Sequence, residues 1–140
     1  MLEEVGGFDE TNGPAADYDL YLRIARQFPI LCHHQPVVHY RRHGDNMSNN
    51  AGVMLASTLA VLKKQRRHIE GSLELKAAYD IGRQHWKNYY GELLIVRMSG
   101  GFAQGRVLDA VVDAYTLARL YPERFVTFLK RKIAYLTSSL

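Results

Sequence analysis

Val5-Gly6-Gly7-Phe8-Asp9-Glu10 opens the chain's most informative stretch, and Ala16-Asp17-Tyr18-Asp19-Leu20-Tyr21-Leu22-Arg23-Ile24 closes it. The glycine pair permits backbone angles closed to other residues. Asn12-Gly13-Pro14, between the two halves, is a turn signal, so residues 1–16 read as loop or extended chain. The closing half predicts a helix over about 17–28. Leu20, Ile24 and Phe28 share one face with Tyr21 beside them, Arg23 and Gln27 face away, and Pro29 ends it. Asp17 stands at the helix start, where a carboxylate can accept orphan N–H groups. Asp9, Asp17 and Asp19 fall within eleven positions, so acids gather at a loop-to-helix junction, as a polar site requires.

Downstream of this stretch the character changes. Ile30-Leu31-Cys32 is a short apolar run, and Pro36-Val37-Val38-His39-Tyr40-Arg41 is β-branched and aromatic. One or two short strands are predicted over 30–42, with Pro36 at a strand start or edge. Residues 43–52 form a polar loop in which Ser48, Asn49 or Asn50 can cap the next helix. From there the pattern is helical. A helix over about 51–69 carries Leu55, Leu59, Leu62 and Ile69, and its basic end, Lys63 to His68, suits the negative pole of the helix. Ser72 caps a second helix over about 73–98, with a stripe of Leu75, Tyr79, Gly82, Trp86, Tyr89, Leu93 and Val96 that Ser99-Gly100-Gly101 ends. A third, over about 104–120, shows Leu108, Val111, Tyr115 and Ala118. Pro122 then opens a last helix whose apolar side is Phe125, Phe128, Leu129, Ile133 and Leu136. The expected fold is mostly α with a small α/β segment: a mixed piece over residues 1–50 and packed helical hairpins over 51–140. No regular repeat period is present.

With 140 residues the chain can bury a real core as one domain, and 47% hydrophobic and 23% charged residues exclude wholesale disorder. The net charge of +4 permits contact with phosphates or an anionic membrane without demanding either. Cys32 is the one cysteine, so no intrachain disulfide can form, and a reducing compartment is expected. No apolar run reaches the ~20 residues of a membrane span, and no signal peptide is expected.

Gly6-Gly7-Phe8-Asp9-Glu10 followed by Asp17-Tyr18-Asp19-Leu20-Tyr21-Leu22-Arg23-Ile24 resembles family 2 glycosyltransferases of the GT-A fold, where the pattern runs roughly GGFDE, a short loop, then EDYDLxLRI. A second match, Tyr40-Arg41-Arg42-His43 through Ser48, is similar to the family's YRxHxxxxS. The resemblance covers residues 3 to about 60. It implies an inverting transferase that moves a sugar from a nucleotide-diphosphate sugar to a glycan or glycoconjugate acceptor, in cell-envelope polysaccharide synthesis, in the cytoplasm at the inner face of the membrane. It implies Asp17 as the catalytic base; Ala16 stands where the family usually has Glu. It implies further that Gly6, Gly7, Asp9 and Asp19 serve the substrate or acceptor, and that Arg41 and His43 meet the diphosphate, His43 also being a candidate metal ligand. The family's nucleotide-binding half, with its DxD-type motif holding Mg²⁺ or Mn²⁺, has no match here. The chain is therefore expected to be the C-terminal fragment of a GT-A fold followed by a helical bundle, inactive in isolation and holding no firmly bound metal.

Plainer readings stand beside these. Taken alone, Asp17 reads as a helix cap, and His43 as a loop histidine. Cys32, His33, His34, His39 and His43 match no zinc-finger spacing. The 63–68 run reads as a solvated helix end and Tyr79, Trp86 and Tyr89 as core. The tail with Phe125, Phe128 and Lys130-Arg131-Lys132 is expected to pack on other helices, with peripheral membrane contact as the alternative. Two further function classes are a basic helical nucleic-acid module and a helical interaction scaffold over 51–140 that forms a homodimer. The first lacks helix-turn-helix spacing and interleaved stacking aromatics, so no nucleic-acid partner is expected.

Overall fold

The computed structural model describes residues 2–32, 34–39 and 46–138. Arg41 and His43, with the strand reading over 40–42, lie outside the described residues. Five α-helices make up most of the rest: α1 (Ala16–Ala25), α2 (Ala51–Gln65), α3 (Leu73–Ala103), α4 (Val107–Leu120) and α5 (Pro122–Ser138). Short 3-10 helices cover Glu10–Ala15, Met47–Asn49 and Arg66–His68. No strand forms among the described residues, which corrects the expectation over 30–39. Val37 and Val38 are exposed there, as are Ile30 and Leu31. A strand needs a neighbour to take its backbone N–H and C=O groups, and none lies beside this one among the described residues.

The caps of α2 and α3 agree with the sequence. Asn50 Oδ1 accepts the Val53 N–H at 3.2 Å and Ser72 Oγ accepts the Leu75 N–H at 3.2 Å, starting α2 and α3. Pro122 occupies the first position of α5. The end of α3 differs from expectation. The helix runs through Gly100 and Gly101, and Gly105, at φ +73°, ends it. The Arg106 N–H bonds to the Gly101 carbonyl at 2.8 Å and the Gly105 N–H to the Phe102 carbonyl at 3.3 Å, the paired closure of a Schellman turn.

α3 is the platform. At 31 residues it is about 46 Å long, and α2 and α4 both lie against it, with α5 folding back on α4. The core joins Ala51 and Leu55 of α2, Tyr90 and Leu94 of α3 and Leu117 of α4. The buried face of α3 is not the expected stripe: Tyr90, Gly91, Leu94, Met98 and Gly101 are inside, while Leu75, Tyr89, Leu93 and Val96 are exposed. Glycines decide this. A Cβ at Gly101 would lie 3.2 Å from Ala110 Cβ, and one at Gly91 would lie 3.0 Å from Tyr121 Cδ1, so the bare backbone of α3 admits α4 and Tyr121 closely. Lys87 shares that face, with its ammonium 4.8 Å above the Tyr121 ring and 3.6 Å from Glu123. Gln84 and Asn88 fix the Tyr121 hydroxyl at 2.6 and 2.8 Å.

α4 likewise buries Ala110, Asp113 and Leu117 in place of Leu108, Val111 and Tyr115. α5 buries none of its residues: Phe125 rests on the edge of the core, but Ile133 and Leu136 stay in solvent. No helix among the described residues is long and apolar enough to cross a membrane.

The register yields a direct comparison. Leu117 is fully buried and Leu108 is 83% exposed. Leu117→Ala is expected to cost about 2–5 kcal/mol in urea unfolding, and Leu108→Ala less than about 0.5 kcal/mol. The opposite order would put the apolar stripe of the sequence inside.

Candidate functional site

Two residues along a helix turn by roughly 200°, so Asp17 and Asp19 leave α1 on nearly opposite sides. They open onto different cavities. The start of α1 is not capped as the sequence suggested. The 3-10 helix Glu10–Ala15 leads straight into it, Ala15 occupies the cap position without a side-chain bond, and Asp17 already lies in the first turn. Gly13 makes the kink between the two with φ +54°. Asp17 Oδ1 accepts the Tyr18 N–H at 2.7 Å. Its other oxygen has no hydrogen-bond partner among the described residues, and the positive end of α1 favours a negative charge there.

Asp17 stands on the rim of a groove of about 610 Å³ between α1, α2 and α3. Tyr18, Tyr21, Trp86 and Tyr90 supply its walls, with Met54 and Thr58 from α2 and Met47 from the preceding turn. Tyr18 meets Trp86 edge-on, with centroids 5.5 Å apart, and Trp86 stacks on Tyr90 at 5.6 Å and 15°. Aromatic faces carry partial negative charge, and the C–H bonds of a sugar ring present partial positive charge to them. A carboxylate beside such faces can accept a hydroxyl proton. Trp86 and Tyr90 belong to the groove as well as to the core region. The sequence reading placed Trp86 in the core only, since helical spacing cannot distinguish a residue inside from one on a groove wall.

Gly6, Asp9 and Asp19 line a second cavity, an open trough of about 810 Å³. Arg23 organises this side. Its Nε donates to Asp19 Oδ2 at 2.8 Å, its Nη2 to the Gly7 carbonyl at 2.6 Å and its Nη1 to the Val5 carbonyl. Gly6 at φ +80° and Gly7 at φ +64° take the backbone conformation this turn needs. Asp19 therefore holds Arg23, and Arg23 holds the turn. The sequence reading turned Arg23 away from the protein, although its spacing four residues after Asp19 was the visible signal. Asp9 caps the 3-10 helix through the Thr11 N–H at 3.0 Å and hydroxyl at 2.5 Å, and Lys64 reaches it from α2 at 2.9 Å. Lys64 also donates to Asn12 Oδ1 at 2.5 Å, while the buried Asn12 Nδ2 has no partner among the described residues. Of the site residues expected from sequence that are described, Asp17 lies on the aromatic groove, Gly6, Asp9 and Asp19 line the trough, and Gly7 lends its carbonyl to Arg23.

Among the described residues no group of three or more His, Cys, Asp or Glu is placed to hold a metal. Comparison of the chain with family models, with curated proteins and with solved structures returned no match.

The Thr11 hydroxyl, then Lys64, hold the Asp9 carboxyl down from 3.8 to about 2. A depressed folded value means that the carboxylate's contribution is complete above pH 3.8 and is lost as pH falls through about 2. The Thr11 amide resonance is expected to report that late acid transition and to lose it in Asp9→Asn. A transition near pH 3.8 would show that neither partner grips the carboxylate.

Proposed function

We propose that this chain carries the acceptor side of an inverting glycosyl transfer site of the family 2 type, with Asp17 as general base and the aromatic groove as the sugar seat. The observation that supports the reading most is the placement of one carboxylate, with one oxygen unpartnered among the described residues, on the rim of a groove walled by Tyr18, Trp86 and Tyr90. A sugar ring laid against those faces exposes its edge hydroxyls toward Asp17. The carboxylate takes the proton of one hydroxyl as that oxygen attacks the anomeric carbon of the donor sugar. The bond from that carbon to the nucleoside diphosphate breaks, the leaving diphosphate keeps the electron pair, and attack from the opposite side inverts the configuration. For this role Asp17 need only be ionised when the hydroxyl arrives.

Asp19 is a positioning residue in this reading: it acts through Arg23 on the Gly6-Gly7 turn. The donor, a nucleotide-diphosphate sugar, belongs to a nucleotide-binding half of the same protein that carries the DxD-type motif and its metal. Envelope polysaccharide or glycoconjugate synthesis at the inner face of the membrane is the setting that the resemblance supplies.

In the protein that joins this chain to such a half, Asp17→Asn is expected to lower sugar transfer by about 10²–10⁴-fold with the circular dichroism unchanged. Retained transfer would remove Asp17 from the base role. In the 140-residue chain, saturation-transfer NMR is expected to mark the ring C–H protons of an acceptor oligosaccharide, and Trp86→Ala to abolish that signal.

A further inference from the structure

The trough on the far side of α1 gathers more positive charge than its carboxylates neutralise. Arg23 comes from the last turn of α1 and Arg26 caps its C-terminus, Lys63 and Lys64 lie in the last turn of α2, and Arg66 and Arg67 in the 3-10 turn after it. Against them stand Asp9, Asp19 and Glu70. The negative poles of α1 and α2 each favour cations at their own C-terminal ends, and both ends converge on this trough. Arg23 is spent on Asp19 and two backbone carbonyls, and Lys64 on Asp9 and Asn12. Arg26, Lys63 and Arg66 make no ion pair among the described residues.

His68 registers this crowding. Its Nε2 accepts from Arg67 Nε at 3.0 Å. Desolvation, then the charges of Arg26 and Arg67, push its pKa below the ordinary histidine value.

We propose that this trough is a binding site for a phosphate-bearing anion of at least two negative charges, held by Arg26, Lys63 and Arg66. Guanidinium groups match phosphate oxygens two at a time and Lys63 adds a point charge. The open trough of about 810 Å³ has room for a diphosphate or a phosphorylated headgroup. Asp17 does not line it, so the proposal stands or falls apart from the transfer reading.

The test is an NMR titration of the whole chain with inorganic pyrophosphate, read at the His68 imidazole, with vesicles as a second arm. The anion is expected to shift the His68 resonances saturably and to raise the midpoint of their pH titration, as it offsets Arg26 and Arg67. Arg26→Gln and Arg66→Gln should each weaken binding by about five-fold, the worth of one exposed charge at contact distance, and flatten its salt dependence. Arg131→Gln on α5 and Asp17→Asn should leave it unchanged. Pyrophosphate binding assigns the site to a soluble phosphate. Binding only to phosphatidic acid vesicles, lost in the same two variants and absent with phosphatidylcholine, assigns it to a lipid headgroup. Failure to bind either, or binding that both arginine variants retain in full, overturns the proposal.

Discussion

Leu94 holds the molecule together. It is fully buried on α3 with Leu55 of α2 and Leu117 of α4 in the same cluster, and every helix but α1 and α5 gives a buried side chain to that contact. The contact depends on how closely the helices approach. Gly91 and Gly101 leave the face of α3 bare where Tyr121 and Ala110 press against it. The groove inherits this rigidity. Tyr90 is in the core cluster and on the groove wall, and Trp86 stacks on it one turn earlier. A wall set by core packing keeps its geometry through that packing.

Electrostatics then divides the acids of α1. Asp19 is buried and neutralised by Arg23, whose remaining donors pin the Gly6-Gly7 turn. Asp17, two residues earlier, faces the other way, with one oxygen unpartnered among the described residues. Removing charge from Asp19 would leave a partly buried guanidinium without its carboxylate, and the turn would lose its anchor. Two aspartates two positions apart therefore sit in different surroundings, one ion-paired with Arg23 and one on the groove rim.

The parts of the fold legible from sequence were those fixed by local chemistry. Asn50, Ser72 and Pro122 start helices where their side chains or rings dictate. The parts that were not legible depend on distant partners. The buried face of α3 runs through two glycines and a lysine, residues that no apolar pattern selects, and Lys87 is inside only because Tyr121 and Glu123 receive it. Residues 36–39 carry strand composition but have no neighbouring strand among the described residues to pair with. At the site, the sequence located Asp17 near the start of a helix, although Ala15 and not Asp17 takes the cap position. The separation of Asp17 from Gly6, Asp9 and Asp19 into two cavities was not legible, since it depends on where α2 and α3 pack against α1.

Trp86 is the chain's one tryptophan, and it lies in the groove wall. The indole emission of the whole protein therefore comes from that wall, with tyrosines 18, 89 and 90 close enough to pass excitation to it. Trp86 is half-buried and lines the groove. Anything that settles there strips the ring of solvent and moves the emission to shorter wavelength, undiluted by a second fluorophore of its kind. The fold thus carries its own optical gauge of groove occupancy, without any label.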